Sequence, residues 1–370
     1  MSYSVLDLFA GCGGLSLGLE SAGFRTVAAN ELEPVFCSTF ALNHPAARVI
    51  QGSILDPHVF QQILEAGKGV DVVAGGPPCQ GFSTVGKKDE EDPRNRLFHA
   101  FLETVEVVRP KIVLFENVSG FKRLYQGRAF AALLEALDRM DYTSESRVLN
   151  AASFGAPQFR ERTIIVAWSR ERARTFRFPE ETHAPAADLF GRQPFLTLGE
   201  ALGDLPLVGM GKGSKAYSTP SQNAFQALMR DQAGEALNEQ EGPNHGPRLM
   251  SVLATVPPGG SIQDVPLELR PKGYFLNTYA RLWWDRPATT LTRNFGTPSS
   301  SRCIHPYADR GLTTREGARL QTFPDRFLFT GSRSQKNLQI GNAVPPLLGR
   351  VLGLAIKSFL DAQQLHRSSA

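Results

Sequence analysis

The chain has 370 residues, 42% of them hydrophobic, with a formal net charge of +4 and a pI near 8.9. That apolar content supports a sizeable core, so disorder is not the default, and the length suits one large domain or a large and a small one. No apolar run approaches the roughly 20 residues of a membrane span, MSYSVLDLFAGCGG lacks a signal-peptide pattern, and the mildly basic balance is only weakly favourable to a polyanionic partner.

From residue 1 to about 170, short apolar runs alternate with amphipathic stretches. Strands are expected at Ser4–Phe9, Thr26–Ala29, Arg48–Ile50, Val70–Ala74, Ile112–Phe115 and Thr163–Trp168. Helices are expected at Leu15–Ala22, Phe98–Val108 and Ala129–Met140. This alternation predicts an α/β fold built on a doubly wound, mostly parallel sheet. From about 170 to 285 the rhythm gives way to Pro-, Gly- and polar-rich sequence such as VGMGKGSKAYSTPSQN, which reads as a second, smaller domain. Leu347–Leu360 is apolar at helical spacing and is expected to pack back on the sheet. The expected partition is 1–190 plus 338–370 for the first domain and 191–337 for the second.

Ligands of open α/β sheets bind at the carboxyl ends of the strands, so the residues just beyond each strand are the candidates. Beyond the first comes Phe9-Ala10-Gly11-Cys12-Gly13-Gly14, a glycine turn that opens a helix and lets backbone approach a ligand. Glu31 follows the second strand at the distance where an acidic residue holds ribose hydroxyls, which together favours an adenosine-containing cofactor. GGPPCQGFS follows the fourth strand and places Cys79 on a stiff turn after Pro77-Pro78, while Glu116 lies one strand over. The four cysteines are widely spaced, which argues against a disulfide framework or a zinc site and leaves Cys79 as a candidate nucleophile in a reducing cytoplasm. In Gln158-Phe159-Arg160-Glu161-Arg162 the arginines alternate at strand period and are expected to share one face; a solvated edge is the plainer reading of that pair.

Together these segments resemble the DNA (cytosine-5) methyltransferase family, prokaryotic type, over nearly the whole chain outside the second domain. DLFAGCGGLSLGLESAGF is similar to the cofactor-binding first motif, GGPPCQGFS to the catalytic loop, and Glu116-Asn117-Val118 to the ENV motif. Gln158–Arg162 is similar to the Q-x-R-x-R motif, RPATTLTRNF to the ninth and GNAVPP to the tenth. The resemblance implies a Rossmann-like domain dependent on S-adenosylmethionine and a target-recognition domain. It implies that Cys79 adds covalently to C6 of a flipped-out cytosine, that Glu116 engages N3, and that Arg160 and Arg162 hold the base, a phosphate or Glu116. Cofactor contacts are expected from Phe9 to Gly14, Glu31, Leu32, Ser53, Ile54, Pro78, Leu97, Asn342 and Ala343. Leu32 and Ser53 stand where the family usually carries an aromatic and an acidic residue. The segment CQGFSTVGKKDEEDPRNRL is expected to be a lid over DNA, and basic residues of the second domain to select the sequence. Double-stranded DNA is the expected substrate, with tRNA the alternative. A cytoplasmic monomer, with a possible cognate restriction endonuclease in the same system, completes the expectation.

Overall fold

The computed structural model describes residues 2–78, 93–171 and 175–367. It divides into two compact units, one formed by 1–150, 161–180 and 348–370 and the other by 151–160 and 181–347. This partition departs from the expected one at three places. Residues 151–160, 181–190 and 338–347 go with the second unit, the first and last of these because Gln158 and Arg160 are bonded to backbone there, including Gly341 and Ala343.

The first unit is built on seven strands: β1 (Ser4–Leu8), β2 (Arg25–Glu31), β3 (Arg48–Gln51), β4 (Val72–Gly75), β5 (Ile112–Val118), β6 (Tyr142–Asn150) and β7 (Glu161–Ser169). They lie in the order β3-β2-β1-β4-β5-β7-β6. The first five pair in parallel, and β7 is antiparallel to both β5 and β6. The apolar runs VVAG and IVLFENV are almost wholly buried, as strands covered on both faces must be. Flanking them are α1 (Gly14–Ser21), α2 (Pro34–Asn43), α3 (Pro57–Ala66), α4 (Pro93–Val108) and α5 (Arg128–Arg139). Asp56 caps α3 by accepting from the His58 and Val59 amides, and Pro57 at the first helical position costs the helix no hydrogen bond.

Strand order reverses between β1 and β4, the switch point at which such sheets open a crevice. The turn after β1 and the Gly-Pro-Pro sequence after β4 both emerge there. Most of the expected lid, and Cys79 itself, lie outside the described residues; the lid's final residues, PRNRL, instead open α4.

The second unit is less regular, with two two-stranded pairs, β8–β9 (His183–Ala184 and Gln193–Pro194) and β10–β11 (Ala280–Arg281 and Arg302–Ile304). Its helices are α6 (Leu198–Leu202), α7 (Ala224–Met229), α8 (Pro247–Leu253), α9 (Thr314–Leu320) and α10 (Arg333–Asn342). Every residue of α9 is buried, although its sequence TREGARL carries three charges. The charges pair inside: Arg319 bonds both oxygens of Asp204 and of Asp325, and Arg310 makes a two-pronged bond with Glu316. Such paired burial is what allows charged groups in a core.

The last helix, α11 (Pro346–Arg367), begins beyond Ala343-Val344-Pro345 and returns to the first unit from Leu348. The stretch Arg333–Ala362 is apolar and long enough to cross a membrane by length and composition, yet half of its most apolar 18 residues are buried in the fold. Gly349 and Gly353 explain the tightness of the α1–α11 contact. A Cβ at Gly349 would lie 3.1 Å from the Gly18 Cα, and one at Gly353 would lie 2.7 Å from the Ala22 Cβ. Phe359 stacks edge-on against Trp168 of β7, so α11 does pack on the sheet.

Candidate active site

The turn after β1 is folded by left-handed residues: Phe9, Gly11 and Gly13 have φ of 57°, 58° and 94°. Two of the glycines serve different ends. A side chain on Gly13 would strike the His44 ring at 2.3 Å, so this glycine permits packing. A Cβ on Gly11 would meet nothing within 4 Å, so its face is open. Gly13 caps α1, and Gly14 begins it. Ala10 and Phe9 are half-buried, Phe9 against the core. The Cys12 thiol is buried, and burial pushes its pKa up to about 12.

Glu31 ends β2 and ties the two strand ends together. Its Oε2 accepts from the Gly11 amide at 2.8 Å, and its Oε1 from the Leu32 and Glu33 amides at 2.8 and 2.9 Å. Burial raises the Glu31 pKa above the ordinary carboxylate value, and these three N–H donors oppose that rise. Leu32 is exposed beside it, while Ile54 is part of the hydrophobic core. Ser53 Oγ accepts from the Leu55 amide.

Beneath the turn lies a buried carboxyl that sequence reading did not single out. Ser16 donates to Asp7 at 2.6 Å, and burial lifts Asp7 to about 7 against the pull of that bond. His44 pairs with Glu20 at 2.8 Å close by. The signal was present in DLFAG, where an acidic residue interrupts an apolar strand.

At β4 and β5 the register sets Gly75 against Phe115, which brings Gly76 beside Glu116. A Cβ at Gly76 would lie 2.8 Å from Glu116 Oε2 and 3.0 Å from its backbone oxygen, so only glycine leaves this carboxylate where it is. Arg162 is opposite Val118 on β7, diagonal to Glu116, and its Nε meets Glu116 Oε1 at 2.8 Å. Asn117 turns the other way: its Nδ2 donates to the Pro77 carbonyl at 2.9 Å. The residue two positions before Cys79 is therefore pinned to the strand that carries Glu116. Pro78 is exposed, and Leu97 packs from α4 against the core. The other three cysteines are all buried, and burial raises the pKa of each, so none is a competing nucleophile.

The two arginines of the Q-x-R-x-R segment part company. Strand β7 starts at Glu161, after Arg160, so the expected shared strand face does not form. Arg160 belongs to the second unit, where its buried guanidinium donates to the carbonyls of Leu291, Gly341 and Ala343. It is a scaffold for RPATTLTRNF and for GNAVPP, the latter expected to hold cofactor through Asn342 and Ala343. Gln158 acts alike, donating to the Leu320 carbonyl at 2.7 Å and accepting from the Leu291 amide at 3.2 Å. Gln321 also donates to Ala343.

Residues 3–358 match the family model of C-5 cytosine-specific DNA methylases. Type II methyltransferase M1.HphI of Haemophilus parahaemolyticus is 34% identical over 362 residues, spanning 96% of this chain and 87% of that protein. Type II methyltransferase M.Eco47II of Escherichia coli is 36% identical over 375 residues, spanning 97% and 80%. In fold, the chain is similar to an E. coli prophage-encoded protein assigned as a DNA modification methyltransferase, with a TM-score of 0.75, 24% identity, and 97% and 100% of the two chains covered. S. pombe Dnmt2 methyltransferase shares the fold with a TM-score of 0.58 at 17% identity, covering 98% and 99%.

Proposed function

The chain belongs to the C-5 cytosine-specific DNA methylase family and methylates carbon 5 of cytosine in DNA; from that premise we propose which of its residues carry the reaction and how. The observation that supports the assignment best is the cluster after β4 and β5. There Glu116 is held by Arg162 and spared a clash by Gly76, while Asn117 fixes the Pro77 carbonyl.

The family depends on S-adenosylmethionine, and the residues after β1 and β2 fit it. Gly11 presents an open face, and Glu31 Oε2, which accepts from the Gly11 amide, keeps a second lone pair with which to accept from a ribose hydroxyl, while Oε1 is taken up by the Leu32 and Glu33 amides. Exposed Leu32 and the Ser53 hydroxyl are proposed to border the adenine, and Pro78 and Leu97 to contribute from the β4 side. When bound, S-adenosylmethionine supplies an electrophilic methyl group.

Carbon 5 of cytosine is a poor nucleophile, and the role of Cys79 is to change that. Its thiolate forms a bond to C6, the C5–C6 π electrons move onto C5, and Glu116, in its protonated carboxyl form, donates to N3 to draw charge from the ring. Arg162 orients Glu116 through Oε1, and the absence of a Cβ at Gly76 leaves room beside Oε2. That pair on C5 forms the bond to the methyl group supplied by S-adenosylmethionine, the sulfur–methyl electrons staying with the sulfur; loss of the C5 proton and departure of the Cys79 thiolate then restore the ring. The target must leave the helix stack to meet these groups, at a cost of about a few kcal/mol. Arg160 acts at a distance, as a positioning residue for residues 291 and 341–343.

Duplex DNA is favoured over tRNA by the family description itself. The type II relatives support a modification enzyme; a short recognition sequence, a cytoplasmic monomer and a cognate endonuclease complete the proposal. Base-resolution 5-methylcytosine mapping of plasmid DNA from cells expressing the chain, beside a Cys79→Ala control, tests the reading. Methylation confined to one short motif and absent in the control is expected; methylation persisting in the control would remove Cys79 from the mechanism.

A further inference from the structure

The second unit contains a cavity of about 650 Å³. Arg248 of α8, Lys272 and Tyr279 line it over an apolar floor that includes Leu249, Val252 and Leu269. Its described lining holds two cations and no carboxylate. One glycine beyond Lys272 the chain exposes three successive large apolar side chains: Tyr274 at 40%, Phe275 at 79% and Leu276 at 67%. Scattered exposed apolar residues are ordinary, but a contiguous apolar tip flanked by cations marks a contact surface.

The tip is held out by bonds on both stems. Arg270 donates to the carbonyls of Val265 and Gln263, each at 2.7 Å. Thr278 closes the turn, its amide and hydroxyl both donating to the Phe275 carbonyl, and the Tyr279 amide donates to Pro298 at 2.7 Å. Tyr279 and Leu269 root these stems in the small core of Val252, Val256, Ile262 and Val265. Bonds to backbone carbonyls fix the loop while the aromatic ring of Phe275 is left in solvent.

We propose that Phe275 is a wedge which enters the stack of the bound duplex, beside phosphate contacts made by Arg248 and Lys272. The proposal rests on duplex DNA being the substrate. Cations beside an exposed aromatic suit a polyanion whose interior is a stack of flat apolar rings, and apolar wedges of this kind unstack a base step and bend the helix. The loop thereby contributes to sequence choice through the deformability of the step it enters.

The test uses the full chain and duplexes carrying the motif found by methylation mapping. 2-Aminopurine is placed in turn at each position other than the target. Wild type is expected to brighten the probe at one step, reporting unstacking. Phe275→Ala should lose that signal and weaken duplex binding roughly five- to hundredfold, the range for removing an aromatic that stacks on a base. Phe275→Trp should restore both. Arg248→Gln and Lys272→Gln should keep the signal at saturating protein while lowering the slope of log affinity against log salt by about one each. Phe275→Ala that binds duplex and brightens the probe like wild type overturns the wedge. So does a free chain that sediments as a dimer and is made monomeric by Phe275→Ala, because the tip would then be covered by a second copy. The two readings fail separately: the wild-type methylation map tests the activity, and the comparison between variants tests the wedge.

Discussion

Replacing Gly76 by alanine perturbs the active site with a single methyl group. The new Cβ lies 2.8 Å from Glu116 Oε2 and 3.0 Å from the Glu116 backbone oxygen. The backbone oxygen sits on β5 and has little freedom, so the carboxylate yields instead. It must retreat by roughly 0.6 Å to regain ordinary contact, on the order of the tolerance within which catalytic groups work. Arg162 opposes the retreat from the other side at 2.8 Å. The expected outcome is a fall in kcat of about 10- to 100-fold with a stability loss of no more than about 1–3 kcal/mol. Single-turnover methyl transfer and thermal unfolding measure the two, with Gly120→Ala, where a Cβ meets nothing within 4 Å, as the matched control. A folded Gly76→Ala enzyme turning over at the wild-type rate would refute the claim that Gly76 sets the position of Glu116.

The two arginines give a paired prediction. Arg162→Met should melt near wild type and lose turnover, whereas Arg160→Met, which strands three buried carbonyls, should lose about 3 kcal/mol of stability or more, read by urea unfolding. Equal stabilities for the two variants would contradict this division. Arg319→Met leaves the buried carboxylates of Asp204 and Asp325 without their main partner and should cost about 3–5 kcal/mol, seen as a shift of the lower thermal transition; a shift under a degree would show the network to be dispensable. Asp7 holds its proton more tightly folded than unfolded, so its contribution is complete below about pH 4 and fades as pH rises through about 7. On the order of 4 kcal/mol is at stake, and Asp7→Asn should gain on wild type between pH 5 and pH 8 in urea melts. A difference independent of pH would mean Asp7 is not the titrating group.

The parallel strands were legible because buried strands are short apolar runs bounded by turns, and VVAG and IVLF leave no other reading. Strand β6 was not: YTSESRVLN lies at the sheet edge, and only Tyr142 and Leu149 are buried, so no core-facing pattern emerges. Glu116 was legible from its place at a strand end, but Gly76 and Asn117 gain their roles only from register. The arginine pair misled because strand periodicity was applied across a residue where the strand had not begun. TREGARL carries no legible core signal, since charged residues are seldom fully buried; the Asp204 that pairs with Arg319 is more than a hundred residues away in sequence.

The contact between α1 and α11 bears on the order in which the protein is made. The glycine turn rests on α1, which leaves the ribosome long before Gly349 and Gly353, the residues that cover it. Domains begin folding from the N-terminal side as they emerge, but this one stays open along Leu15 and Leu19 until α11 arrives. A chain interrupted before α11 thus displays uncovered leucines where its cofactor turn should be firm.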